Sequence, residues 1–339
     1  MNNHKRENWI DIAKGIGILL VIIGHSSERP MVLKQFIYSF HMPLFFIISG
    51  YVYNHNKWKE KGIKQLIICR FRDYIIPYFA FGFINLGLNA LVEARHMTVS
   101  ELIHSTIEHA FWLFYSYGSA ARMPNCTALW FLPCLFLCTI YVFVLLNIEN
   151  RVVRYFICLC GLGINAILSH FSVPQLPWHI DTVLVASVFI LIGYELKNAK
   201  MLTDNIMRKN FLGCIFVIGL IFTYMNTELS FNANIYGNMI FMLIGSFSLS
   251  YVCLWICTRI KKSSILSHFG RGTVIVMAFS YFFKTLSTFI WTKIPVIKDY
   301  AYAWWIESIV VIIMCYITIY IYNKFLTWIK RKSNLYSGG

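Results

Sequence analysis

The chain has 339 residues, of which 58% are hydrophobic and only 13% are charged, and its mean hydropathy is +0.60. Soluble domains carry about 25% charged residues, so this composition excludes a soluble globular protein and predicts an all-α polytopic membrane protein. The formal net charge of +15 would suit a nucleic-acid-binding protein, but the placement of the basic residues excludes that class.

Apolar windows of about twenty residues, long enough to cross the hydrocarbon core of a bilayer, recur along the chain. No linker, low-complexity tract or short-period repeat separates them, so residues 1–339 are interpreted as one integral-membrane domain. Lys5 and Arg6 precede an apolar run, but no small-residue cleavage site follows, which favours a retained first span over a signal peptide. Ten transmembrane helices are predicted, at residues 9–26, 36–54, 74–92, 127–147, 155–171, 180–196, 211–225, 236–257, 270–291 and 301–323.

Basic residues are unequally divided between the two sides that these ten spans define. Of the 30 Lys and Arg residues, twenty-two fall on the side of the termini and seven on the other, while Lys14 lies within the first span. Cytoplasmic loops are enriched in Lys and Arg, so both termini are predicted to be cytoplasmic. The positive charge then follows from topology, and no nucleic-acid partner is expected. The ten cysteines form no CxxC pair, and no metal site is expected.

The opening hairpin, residues 8–54, carries four ionisable residues within or beside its apolar segments: Asp11, Lys14, His25 and His41. An Asp, Lys or Arg at the centre of a membrane helix costs about 2.5–3.5 kcal/mol on insertion scales, and such residues indicate function by default. On a helix, Lys14 and His25 share a face about 16 Å apart along the axis, with Asp11 one turn before Lys14. We interpret the hairpin as the functional core, with His25, His41 and Asp11 as catalytic candidates.

A structural interpretation of the same hairpin stays open. An intramembrane histidine can simply bridge two helices, and small residues let helices pack closely. Close helix packing is also the structural interpretation of three glycines near these ionisable residues, Gly15, Gly17 and Gly24. Their functional interpretation is that they leave room for a ligand beside the backbone.

Three further residues are candidates by location. The basic segment after the hairpin, HNKWKEKGIKQLIICRFRDYIIPY, is interpreted as a loop. Arg70 and Arg72 lie in it at the mouth of the third span, where planar guanidinium groups suit phosphate, although pairing with Asp73 or with lipid headgroups is the alternative. Glu307 follows two tryptophans in the last span. An acid within the membrane indicates function, whereas an acid in an interfacial aromatic belt does not, and both interpretations stay open. Lys284 is expected to snorkel to the interface or to pair with Glu307.

The longest outer loop runs from Glu93 to Cys126. Its LIHSTIEHAFWLF stretch has helical periodicity and is expected to lie along the membrane surface. Glu108 and His109 within it suit an acid–base or metal pair, but we favour the interpretation that they belong to a solvated loop helix.

The hairpin motifs DIAKGIGILLVIIGH and FHMPLFFIISGY resemble the membrane acyltransferase family 3, and most closely its fucose 4-O-acetylase-like branch of sugar O-acetyltransferases. Further matching pieces follow in the same order over about three-quarters of the chain. They are Arg70-Phe71-Arg72, Ile76-Pro77-Tyr78, Leu129-Trp130-Phe131-Leu132, Leu176-Pro177-Trp178, Asp181-Thr182, Gly193-Tyr194 and Tyr236-Gly237-Asn238.

The resemblance implies about ten spans in a bacterial plasma or inner membrane and transfer of an acetyl group from cytoplasmic acetyl-CoA. The implied acceptor is a hydroxyl of a cell-surface glycan or of its lipid-linked precursor, as in O-antigen, capsule or exopolysaccharide. It makes His25 the catalytic residue and assigns basic residues at the cytoplasmic entrance, here Lys14, Arg70 and Arg72, to CoA. Many relatives carry two arginines three apart where this chain has Cys69 and Arg72. They also carry Gly-Arg-Asn-Ser-Leu where it reads Gly270-Arg271-Gly272-Thr273-Val274.

Imidazole suits this chemistry, because its pKa near 6.5 allows it to take a proton from a sugar hydroxyl that attacks a thioester. A direct transfer and a relay through acetyl-His25 are both compatible with the pattern. The rival class is a glycolipid or polysaccharide transporter or flippase without acyl transfer. Against it, the two halves of the chain show no repeat and no matched pair of broken helices.

Overall fold

The computed structural model describes residues 7–202, 209–293 and 303–336. These ranges contain no β-strand, only an isolated bridge between Ser230 and Ile235, so the predicted all-α class is confirmed. The helices are α1 (Asn8–Gly24), α2 (Met31–Tyr51), α3 (His55–Arg70), α4 (Ile76–Glu93), α5 (Val99–Tyr115), α6 (Phe131–Leu146), α7 (Arg151–His170), α8 (Ile180–Asn198), α9 (Lys209–Met225), α10 (Met239–Arg259), α11 (Ser264–Arg271), α12 (Thr273–Thr292) and α13 (Trp304–Tyr336).

Within the described ranges, eight helices are long and apolar enough to cross a membrane. They correspond to eight of the ten predicted spans and support a multi-pass membrane protein. The other two predicted spans, the first and the seventh, form α1 and α9, which have 17 residues each. A 17-residue helix is at the lower limit for crossing the hydrocarbon core.

The basic segment after the hairpin forms helix rather than the predicted loop. Asn54 caps α3 by accepting a hydrogen bond from the Lys57 amide, and the chain stays helical to Glu93 except at Gly62. Gly62 has a φ of +79°, which a residue with a side chain rarely adopts, so the helix breaks there. Between α3 and α4, the π-helical turn Phe71–Ile75 shifts the helical phase at the mouth of the span.

Helix α2 continues through Pro43 because a neighbouring helix supplies the missing hydrogen bond. Pro43 has no N–H to donate to the carbonyl of Ser39. The hydroxyl of Ser246 on α10 donates to that carbonyl at 2.5 Å, and the hydroxyl of Ser250 donates to the carbonyl of Phe40 at 3.4 Å. The carbonyls that Pro43 leaves free near His41 are therefore satisfied by α10.

Glycines mediate the closest helix crossings in the fold. A Cβ built on Gly15 would lie 2.1 Å from the carbonyl oxygen of Leu266, and one on Gly270 would lie 1.8 Å from that of Asp11, so α1 and α11 touch through their backbones. The same close approach joins α2 to α8, where a Cβ on Gly50 would lie 1.8 Å from the carbonyl oxygen of Ile190. These crossings fix the hairpin against the C-terminal part of the chain.

Replacing Gly50 by Ala should destabilise the protein, because the new methyl group meets backbone that cannot turn away. We expect a loss of about 1–3 kcal/mol or more, the usual range for an overpacked core. Thermal unfolding in detergent measures the effect. Gly87→Ala is the matched control, since a Cβ there meets nothing within 4 Å and alanine favours helix. Equal midpoints for the two variants would contradict the close crossing.

The predicted helix in the outer loop is confirmed as α5. Thr98 and Glu101 form a capping box at its start, in which each side chain bonds the backbone of the other residue. Ile103, Ile107 and Phe111 recur every four residues on its exposed side and are 56–63% exposed. An exposed apolar stripe beside polar residues is typical of a helix that lies in a membrane interface.

Candidate active site

Two histidines from the two helices of the hairpin lie side by side. The ring centroids of His25, at the end of α1, and His41, in α2, are 6.4 Å apart, with the rings nearly perpendicular. Each Nδ1 lies 2.8 Å from the carbonyl oxygen four residues before it, Val21 for His25 and Ile37 for His41. A carbonyl only accepts, so Nδ1 must carry the proton. In the neutral ring, Nε2 is then the basic nitrogen.

Both histidines line one cavity of about 200 Å³, here called the His25 cavity. Tyr38 and Tyr281 flank the His25 ring, with centroids 5.4 Å and 5.3 Å from it. The 3₁₀-helical turn Thr127–Trp130 and the loop before α10 add polar and aromatic side chains to the wall, namely Thr127, Trp130, Ser230 and Asn232. Asn232 donates to the carbonyl of Gly118 through Nδ2, while its buried Oδ1 has no partner among the described residues. The cavity thus combines basic nitrogens, aromatic rings and polar side chains.

The segment that follows His25 is held by three charged side chains. The Lys284 ammonium donates to the carbonyl oxygen of His25 at 2.7 Å, and Arg29 donates to that of Ser26 at 2.6 Å. The carbonyls at a helix C-terminus lack intrahelical partners and attract cations. Glu307 accepts a hydrogen bond from the Ser27 amide at 2.6 Å and is only 2% exposed. These contacts fix the end of α1 and with it the His25 side chain.

This arrangement gives Glu307 a positioning role. Glu307→Ala removes a hydrogen bond to a charged acceptor, worth about 1.5–3 kcal/mol, which corresponds to about a 10- to 150-fold loss of activity if the His25 segment is displaced. Glu307→Gln keeps an oxygen for the Ser27 amide and should lose less. Turnover by the two variants measures the difference. If Gln and Ala are equally inactive, the carboxylate acts in the chemistry instead.

A second cavity, of about 270 Å³, opens around Lys14 and is here called the Lys14 cavity. Arg70 and Arg271 join Lys14 in its wall. Arg70 is paired with Asp73 at 3.1 Å, yet its Nε–H is buried without a partner among the described residues, as is the hydroxyl of Tyr53, which also lines the cavity. Cationic groups and open donors are the features that bind phosphate.

The structure places the predicted residues in four groups. It brings together His25 and His41 in one cavity, and Lys14 and Arg70 in the other. Glu307 lies behind the end of α1. Asp11 is 4% exposed where α1 crosses α11, and Arg72 is exposed to solvent; neither lines these two cavities.

Helix α12 supplies site residues that the sequence reasoning did not select. Arg271 precedes it, and Val274, Met277, Tyr281 and Lys284 then recur every three or four residues along one face. Arg271 and Val274 line the Lys14 cavity, Tyr281 lines the His25 cavity, and Met277 lines both. The helix itself was predicted as the ninth span, and the Gly270-Arg271 pair at its mouth was the signal that could have identified it as part of the site.

Comparison with known proteins adds the family. Residues 7–324 match the model of acyltransferase family 3, which is described as an acyltransferase domain. Searches of curated proteins and of solved structures found no match. The matched range includes every residue that lines the two cavities. The chain therefore belongs to acyltransferase family 3, and it is a membrane acyltransferase.

Proposed function

We propose that the protein transfers an acetyl group from cytoplasmic acetyl-CoA to a hydroxyl of a cell-surface glycan or of its lipid-linked precursor. The observation that carries the proposal is the pair of cavities on either side of Met277, one cationic and one with basic imidazoles. An acyltransferase with a charged thioester donor and a sugar acceptor needs two such sites. Family membership favours this activity over the transporter interpretation.

The donor is assigned to the Lys14 cavity. CoA carries phosphates at one end and a thioester at the other end of a narrow arm. Lys14, Arg70 and Arg271 supply cations, and Tyr53 and Arg70 supply unpaired donors for the polar end. Lys14 and His25 lie about 16 Å apart along α1, a depth that an extended arm can span. The excess of Lys and Arg on this side supports a cytoplasmic entrance and, with it, ten spans with both termini inside.

The acceptor is assigned to the His25 cavity. Aromatic rings such as those of Tyr38, Tyr281 and Trp130 suit the apolar faces of a sugar, and the hydroxyl of Ser230 can hydrogen-bond with a sugar hydroxyl. His41, whose ring is 5.2 Å from Tyr38, would hold a second hydroxyl of the acceptor. The polar wall and the modest volume favour a sugar ring over a lipid tail.

In the proposed reaction, Nε2 of His25 takes the proton of the acceptor hydroxyl as the oxygen attacks the thioester carbonyl carbon. The new C–O bond forms while the C–S bond breaks, and the CoA thiolate receives the proton from the imidazolium. The products are an acetyl ester and free CoA, so neither an oxidant nor a metal is needed to balance the step. Such a base contributes about 10²- to 10⁴-fold to the rate.

Inside-out membrane vesicles from the organism that makes the protein provide the test, because they present the cytoplasmic face and contain the native acceptors. We expect label from [¹⁴C]acetyl-CoA to enter a glycan or glycolipid fraction, and deletion of the gene to abolish it. Mass spectrometry of surface glycans should show the loss of an acetyl-sized increment in the deletion strain. Equal labelling with and without the gene would refute the proposal.

A further inference from the structure

Met277 separates the two cavities. Among the described residues, it alone lines both the His25 cavity and the Lys14 cavity. Met277 is 2% exposed and lies in the second turn of α12, between Val274 and Tyr281 on the inward face. A group that moves between the cavities along this face must therefore pass Met277.

The rest of the wall is aromatic and tightly packed. On α2, Met42 lines the His25 cavity and Phe45, three residues later, lines the Lys14 cavity. At the start of α6, Trp130 lines the His25 cavity and the next residue, Phe131, lines the Lys14 cavity. The rings of Phe45 and Phe131 are 5.8 Å apart. We define the septum as Phe45, Phe131 and Met277, which are all at most 5% exposed.

Of these three residues, Met277 is best suited to move. Phe45 is confined on one side by Phe131 and on another by α1, where a Cβ on Gly17 would lie 2.9 Å from its ring. A methionine side chain is unbranched, has three rotatable bonds and repacks at little cost. A movable residue in an otherwise rigid wall makes an opening of limited cross-section.

We propose that Met277 is the gate through which the acyl thioester reaches His25, and that it selects acyl groups by cross-section. This inference rests on the proposed function. An unbranched acyl group is no wider than the end of the CoA arm that follows it, so it passes. A branch next to the carbonyl widens the group where it must cross the septum, so branched acyl groups are rejected.

The four-carbon donors n-butyryl-CoA and isobutyryl-CoA test the gate, because they have the same atoms and differ only in branching. Rates are measured with each labelled donor in the inside-out vesicles, for wild type and for Met277→Ala. One misplaced methyl group changes the specificity ratio by about 10- to 200-fold. We expect wild type to prefer n-butyryl by about tenfold or more, and Met277→Ala to reduce this preference at least about tenfold.

Met242→Ala is the matched control. Met242, on α10, is also 2% exposed but lines neither cavity. The donor preference of this variant should therefore match that of wild type. If the Met277→Ala variant does not fold, Met277→Val is tested in its place, because it removes less side-chain volume. An unchanged preference in a folded Met277 variant overturns the gate and leaves the acetyl transfer intact. If wild type uses acetyl-CoA but neither four-carbon donor, unbranched acyl groups do not pass the septum and selection by cross-section is overturned. Failure of wild type with acetyl-CoA as well overturns both proposals.

Discussion

Replacing His25 by Gln is expected to lower acetyl transfer by about 10²- to 10⁴-fold, the usual contribution of a general base. Gln can occupy the end of α1 but cannot take a proton from the acceptor. Because Nδ1 of His25 is engaged with the Val21 carbonyl, only Nε2 can act, and the substitution removes the basic nitrogen. Labelled transfer in inside-out vesicles measures the loss, and acetyl-CoA binding by the purified variant should be retained.

Two further histidine variants give this prediction its controls. His104→Gln changes an exposed residue on α5 and should retain wild-type activity. His41→Gln should raise the KM for the acceptor more than it lowers kcat, since His41 is assigned to acceptor binding. If His25→Gln transfers acetyl at the wild-type rate while His41→Gln is inactive, the roles of the two imidazoles are reversed.

Replacing both Lys14 and Arg271 by Met is expected to raise the KM for acetyl-CoA by about 10²-fold with a smaller change in kcat. Each hydrogen bond to a charged group is worth about 1.5–3 kcal/mol, which corresponds to about 10- to 150-fold; Arg271 is exposed and belongs at the low end. Raising the salt concentration should raise the wild-type KM more than that of the variant, because salt screens exposed charges.

Arg72→Met is the matched control for the donor site. Arg72 is exposed and does not line the Lys14 cavity, whereas Arg70, two residues earlier, does. The variant should therefore keep a KM within about twofold of wild type, the scale of a surface substitution. A KM as high as that of the variant with both Lys14 and Arg271 replaced would place Arg72 in the proposed CoA site, as the family resemblance implies.

The membrane class and most helices could be predicted because apolar runs of sufficient length indicate spans directly. The segment 55–70 was taken for a loop because its lysines lower the hydropathy, although Asn54 caps it as a helix. The eight-residue α11 was missed because it is short and polar. Its position is set by backbone contact with α1 at Gly15 and Gly270, which no local pattern in the sequence reports.

The site was predictable only as far as helical periodicity extends. Lys14 and His25 lie on one regular helix, so their common face followed from their spacing. Arg70 precedes a π-helical turn and Arg72 lies within it, and this turn shifts the helical phase, so spacing could not tell which of the two faces the cavity. On α12 most residues are apolar and they occur on all sides of the helix, so the sequence does not show that Met277 faces inward.

The contact between Lys284 and the His25 carbonyl, described above as a device that fixes the end of α1, also has a consequence for biosynthesis. The two residues are 259 positions apart in sequence. At a synthesis rate of about 5–20 residues per second, His25 is made about 13–50 s before Lys284. During that interval the hairpin must stay inserted, although α11 and α12, which pack against α1 in the folded protein, have not yet been made. Assembly of the proposed catalytic centre is therefore among the last events in the maturation of the chain, and ribosome-bound chains that end before α11 should be inserted but inactive.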